Sequence, residues 1–286
     1  MSALAAMLPG GRLHLQHGPI DAIVQAWGDA AEVRRAQAQA AAAFGDVLPR
    51  LCAELPRLRA PLPAPPPEGP VARRMHAACL PFADCFITPM AAVAGAVADH
   101  LLAAALAGRR LERALVNDGG DIAVFLAPGQ SFRCGIVADL AAPCLDAVAM
   151  LGAGAGVGGI ATSGRLCRGQ GGRSFSLGIA DAVTVLAADA AAADAAATMI
   201  ANAVDLPGHP AIERRPASAL DPDSDLGDRL VTWQVGALTE AESEAALAAG
   251  ARVAEGFAAR GLIRAAILHF RGRRRVVGAM PLLSAA

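Results

Sequence analysis

Lysine and tyrosine are absent, and all 25 basic side chains are arginine. With Ala abundant beside 30 Gly and 19 Pro, this reads as the codon bias of a GC-rich genome and not as selection for arginine chemistry. Excess charge is missing too. The formal net charge is −1, which excludes the electrostatic footprint of a nucleic-acid binder. The short run Arg271 to Arg275 reads as a solvated turn between two strands. Cysteine pairs at CxxC spacing are lacking. Cys52, Cys79, Cys85, Cys134, Cys144 and Cys167 suit neither a zinc site nor a secreted disulfide scaffold, so reduced thiols in a cytoplasmic protein are expected. The longest charge-free run, between Asp146 and Arg165, holds six glycines and predicts turns, not a membrane span. The next such run, Cys85 to Ala98, is short and contains Pro89. The first residues lack a basic region followed by a long apolar stretch, so no signal peptide is expected.

What is present fits one α+β domain over residues 1–286, with mixed sheets packed with helices. Residues are 55% apolar, but much of this is alanine, which favours helix and buries little area. A hairpin is predicted over 12–17 and 20–27 around Gly18-Pro19, then a helix over 30–43 extending toward Cys52. The proline-rich stretch 61–70 predicts an extended loop. A helix follows over 91–106, then strands at 113–117, 121–126, 132–138, 145–151, 157–161 and 182–187. Asp189 is placed to cap a helix ending near Val204. Residues 205–228 read as a polar loop. A strand at 230–236, a helix at 239–260 opened by a Thr239/Glu242 capping box, and strands at 263–270 and 275–279 complete the chain.

Three motifs could carry chemistry. VNDGGDI, residues 116–122, puts two glycines between strands, where free N–H groups could cradle a phosphate or ring carbonyl; a plain hairpin turn is the bland alternative. GGIATSGR, residues 158–165, offers the hydroxyls of Thr162 and Ser163 and the phosphate-binding side chain of Arg165, or an ordinary polar turn. DAAAT, residues 194–198, sets Asp194 and Thr198 one helical turn apart on one face. A carboxylate and a hydroxyl are hard oxygen ligands suited to magnesium; a solvated Asp and a Thr bonded to its own backbone are the alternative. Gly154, Gly156 and Gly159 spell GxGxxG without the strand before and helix within that a dinucleotide fold requires. DPDSDLGD, residues 221–228, misplaces the glycine of a calcium loop and has Thr232 where the glutamate belongs. No GxSxG elbow surrounds Ser163, and none of the six histidines is spaced to pair with it.

The order of these motifs carries more than any one of them. TPMAAVAGAVAD, VNDGGDI, GIATSGR, SFSLGIADAVTVLA and ADAAAT in succession, over roughly residues 80–205, resemble the ApbE superfamily, and most closely its uncharacterised (UPF) branch. ApbE proteins are magnesium-dependent FAD:protein FMN transferases, and some hydrolyse FAD to FMN and AMP. The resemblance implies an ApbE-like (T-fold-like) domain. Asp194 and Thr198 fall on its metal ligands, with a backbone carbonyl from residues 92–94 on the same ion. Asn117, Gly119, Gly120 and Asp121 match the turn at the flavin, and Thr162, Ser163 and Gly164 match its TSG turn. The implied cofactors are Mg2+ and FAD. The implied partners are a flavin or nucleotide and a protein acceptor, with no nucleic acid or membrane; a homodimer is compatible with it. The chain departs from the transferases in having Ala94 at their lysine and no histidine at Arg173-Ser174-Phe175-Ser176. Flavin binding without transfer, or a different enzyme on the scaffold using Arg165 or Cys167, are the alternatives.

Overall fold

A computed structural model describes residues 2–136, 147–165, 175–279 and 282–283. The elements run β1 (Leu4–Leu8), β2 (Arg12–His17), β3 (Ile20–Gly28), α1 (Ala30–Phe44), α2 (Val47–Ala53), α3 (Leu55–Leu58), α4 (Pro70–Cys79), α5 (Val93–Leu106), β4 (Leu111–Asp118), β5 (Asp121–Leu126), β6 (Ser131–Ile136) and β7 (Ala147–Gly152). They continue through β8 (Gly159–Ser163), β9 (Ala182–Ala187), α6 (Ala190–Ala203), β10 (Ile212–Pro216), α7 (Ala217–Leu220), β11 (Leu230–Val235), α8 (Glu240–Ala259), β12 (Ala265–Phe270), β13 (Arg273–Gly278) and β14 (Leu282–Leu283). The class is α+β: antiparallel sheets packed with helices. Contacts group the chain into two compact units, and the chain passes between them inside β6, β7, β8, β9 and α6.

Unit 1 comprises residues 1–132, 151–161 and 187–195. Its strands pair in the order β1-β2-β3-β4-β5-β8. Alternate residues Leu13 and Leu15, Ala22 and Val24, and Ala114 and Val116 are buried, as period-two strands with one covered face require. α1 packs on β3 and α5, and α5 on β4 and β5. Residues 89–106, a short 3-10 turn leading into α5, are long and apolar enough to cross a membrane, with mean hydropathy 1.5. Of that stretch 56% is buried, with Ala96, Val97 and Leu101 in the core.

Unit 2 comprises residues 133–150, 162–186 and 196–286. Within it β12 pairs antiparallel with both β9 and β13, and α8 packs on β12 and β13. Every residue of β9 and β12 is buried, in keeping with strands that are apolar apart from Thr184 and His269. α8 opens with the expected capping box: Thr239 Oγ1 accepts from Glu242 N (3.2 Å), and Glu242 accepts from Thr239 N (2.7 Å).

Several boundaries differ from the sequence expectation. The helix from Ala30 stops at Phe44 and does not reach Cys52; Gly45 and Asp46 interrupt it before α2. β1 was not anticipated because its residues are almost uniformly exposed and give no alternation to read. α4, opened by Pro70, was also missed. The polar stretch 205–228 contains β10, paired with β11 through a bulge at Glu213/Arg214, and α7. In the basic run only Arg271 and Gly272 form the turn, while Arg273, Arg274 and Arg275 belong to β13.

Candidate functional site

The β4–β5 hairpin closes on Asp118 and Asp121 as its last pair, with Gly119 and Gly120 between them. Both glycines have positive φ, 62° and 109°, which the tight turn demands and L side chains resist. The expected free N–H groups are not free. Gly120 N donates to Asn117 Oδ1 (2.9 Å), and Gly119 N reaches Asp21 O (3.4 Å). Asn117 therefore pins the turn, and the space outside Gly120 is open.

Four carboxyl groups of unit 1, those of Asp21, Asp118, Asp121 and Asp194, interact at this turn. Asp118 is buried and accepts a long hydrogen bond from Asp21 N (3.4 Å). Burial raises its pKa to about 7; the Asp21 N–H opposes this, and the charges of Asp121 and Asp21 add to it. Asp194, partly exposed on α6, accepts from Gly95 N (3.1 Å) and is hydrogen-bonded to the Asp121 carboxyl. Its pKa stands well above the usual range, first because protein crowds it and then because Asp121 is charged; the Gly95 N–H pulls the other way. Two carboxyl groups in hydrogen-bond contact cannot both be bare anions. Either one holds a proton or a cation stands with them. Among the described residues, no three or more His, Cys, Asp or Glu side chains are grouped to hold a metal. Any ion here would rest on one or two carboxylates with water or ligand oxygens completing its shell, the arrangement magnesium favours.

The helices that frame this cluster hold each other by their N-termini. Asp194 of α6 accepts from the Gly95 N–H in the first turn of α5. In return Asp99 of α5 accepts from Ala190 N (3.1 Å) and Ala191 N (2.9 Å) in the first turn of α6. Asp189 takes the remaining donor, Ala192 N, at 2.8 Å, which fulfils the expected N-cap. Glycines permit the approach. A Cβ on Gly95 would collide with the Ala190 carbonyl, and one on Gly159 with the Asp189–Ala190 peptide. Gly156, in the left-handed region, and Gly159, opening a strand, confirm that the nominal GxGxxG starts no helix.

Unit 2 holds the other expected residues. Thr162 and Ser163 end β8, Thr162 Oγ1 lies 2.9 Å from Thr184 Oγ1, and Gly164 (φ 144°) packs on the Asp181–Ala182 backbone. Arg165 stands beside Asp181, with 3.8 Å between Nη2 and Oδ1. Thr198 follows Asp194 by one turn along α6 and is partly exposed. Cys167, Arg173 and Ser174 lie outside the described residues. His14, His76 and His209 hydrogen-bond to Asp21, the Ala64 carbonyl and Glu242, consistent with satisfied histidines. A cavity of about 550 Å3 in unit 1, among Val47, Arg50, Leu51, Val71 and His100, is not lined by the aspartates of the turn or by Asp194.

Residues 5–276 match the family described as AbpE bacteria. The chain belongs to that family. It is also similar to UPF0280 proteins of three archaea. Identity to the Methanothrix thermoacetophila protein is 37% over 136 residues, covering 47% of this chain and 52% of the relative. It is 36% over 148 residues for Methanothermobacter thermautotrophicus, covering 49% and 51%. For Methanopyrus kandleri it is 40% over 133 residues, covering 46% and 48%. The chain thus spans about half the length of the curated relatives it matches.

Sequence reasoning named Asn117, Gly119, Gly120, Asp121 and Asp194, and the fold of unit 1 brings these five into one neighbourhood. It missed Gly95 and Asp99. The available signals were a glycine inside a helical pattern, which usually marks close packing, and a lone Asp closing the apolar run AAVAGAVAD.

Proposed function

We propose that this protein binds magnesium at Asp194 and Asp121 and, through it, the pyrophosphate of FAD, whose P–O–P bond it breaks with AMP as the leaving group, the FMN phosphoryl passing to water or, in the manner of ApbE proteins, to a protein acceptor. The observation that carries the reading is the contact between the Asp121 and Asp194 carboxyl groups, which needs a shared proton or a cation to hold it; magnesium is the cation proposed. Magnesium would neutralise phosphate oxygens and favour in-line attack. Gly95 N–H orients Asp194. Asn117 holds the Gly119-Gly120 turn open-faced, so that a flat ring could approach its backbone. Thr198, one turn beyond Asp194, is the hydroxyl that the ApbE resemblance adds.

Binding without turnover is the second reading, and one observation favours it. The position of the transferase lysine is Ala94, in the first turn of α5 beside the residue that holds Asp194, so no cationic side chain stands there. Incubation with FAD and magnesium separates the two. Release of AMP by wild type and its loss in Asp194→Asn supports cleavage. A thermal shift with FAD, but no AMP, supports binding alone. Neither AMP nor a shift at saturating FAD rejects both. Transfer to a protein acceptor would register as covalent flavin fluorescence on a denaturing gel.

A further inference from the structure

We infer that Asp99 is a positioning residue that sets the register of α6 and thereby holds Asp194 against Gly95 and Asp121. As a statement about a cation site it rests on the reading above; as a statement about Asp194 it stands on geometry. Gly95 and Asp99 are four residues apart on α5, hence on one face, and Ala190 and Asp194 are four apart on α6. The two pairs bond reciprocally: Gly95 N to Asp194 Oδ2, and Ala190 N and Ala191 N to the two oxygens of Asp99. Two contacts one turn apart fix both the translation and the rotation of one helix on the other, which a single contact cannot do. Gly95 lets the backbones close to the distance at which both bonds form.

Capping alone does not account for Asp99. Asp189 already serves α6 as a local N-cap, and it does so from a partly exposed position. Asp99 is 7% exposed, with Arg74 at 3.8 Å as a distant counter-charge. Burying a carboxyl there is costly, and its pKa is pushed up to about 6, chiefly by burial. A second cap from another helix adds what the local one cannot: alignment of α6 to α5, and so of Asp194 to its neighbours.

Asp99→Asn tests this, with Asp29→Asn as control. Asp29 caps α1 in the same unit through Ala31 N and Glu32 N and touches none of these groups. Both variants are expected to lower the Tm. In metal-free protein only Asp99→Asn should weaken hydrogen-exchange protection of the Gly95 amide, by at least about tenfold. Titrated with Mn2+ alone, it should bind about 10–100-fold more weakly than wild type, the usual loss when a ligand's supporting partner is removed. Unchanged Gly95 protection and unchanged Mn2+ affinity would overturn the inference. Weakened Gly95 protection, with no Mn2+ uptake by wild type, would support the positioning role and reject the cation site. Should Asp99→Asn fail to fold, Asp99→Glu, which keeps both acceptors but displaces them, is read by the same two measurements.

Discussion

Asp118→Asn, in protein stripped of divalent ions, gives the clearest quantitative test of the carboxyl cluster. Asp118 is 6% exposed, and its pKa of about 7 lies about three units above the unfolded value near 3.8. At about 1.36 kcal/mol per unit, its ionised form destabilises the fold by roughly 4 kcal/mol. The sign follows from linkage. Between the two pKa values the folded state holds the proton more tightly than the unfolded state, so stability falls as pH rises, by about 1.4 kcal/mol per unit at most. Well below pH 3.8 both states are protonated and the destabilisation is absent; well above pH 7 it is complete. Asparagine keeps the shape and the acceptor for Asp21 N but cannot ionise. The variant should match wild type well below pH 3.8 and exceed it by roughly 4 kcal/mol near pH 8, about 8–16 °C in Tm for a chain of this size. Thermal unfolding at half-unit pH steps checks this. A difference between the proteins that does not change with pH, or a wild type that is the more stable at pH 8, would refute the reasoning.

Other outcomes follow from single contacts. Gly95→Ala forces a methyl group into the Ala190 carbonyl and should destabilise by about 1–3 kcal/mol, read as a lower denaturation midpoint. Gly159→Ala meets the Asp189–Ala190 peptide and should act similarly, while alanine at Gly154, where nothing lies nearby, should be close to neutral. Thr239→Ala removes the acceptor for Glu242 N and should cost about 1 kcal/mol in chemical denaturation. Asp121→Asn abolishes the carboxyl repulsion at Asp194, so it should raise the Tm in EDTA and remove any increase in Tm that magnesium gives wild type.

The local order of the chain was legible wherever side-chain pattern and backbone chemistry agreed. The alternation in RLHLQH and IDAIVQAWG, split by Gly18-Pro19, gave the β2–β3 hairpin. Thr239 followed by Glu242 gave the start of α8, and Asp189 before a run of alanines gave the start of α6. The α+β class followed from strands and helices that do not strictly alternate. Where pattern was absent, reading failed: LAAML offers no periodicity, and the polar stretch after Val204 hides β10. For the site, motif order named Asn117, Gly119, Gly120, Asp121 and Asp194, but only as separate strings.

What composition and spacing could decide was which residues are able to turn, cap or ligate, because those capacities belong to single side chains and their near neighbours. Tertiary structure alone decided that Asp194 meets Asp121 and Gly95, that the turn's N–H groups are already taken, and that Asp99 reaches α6 from 91 residues away. Those outcomes depend on how closely two helix backbones can approach and on which buried donors remain unpaired, quantities set by the packed chain as a whole.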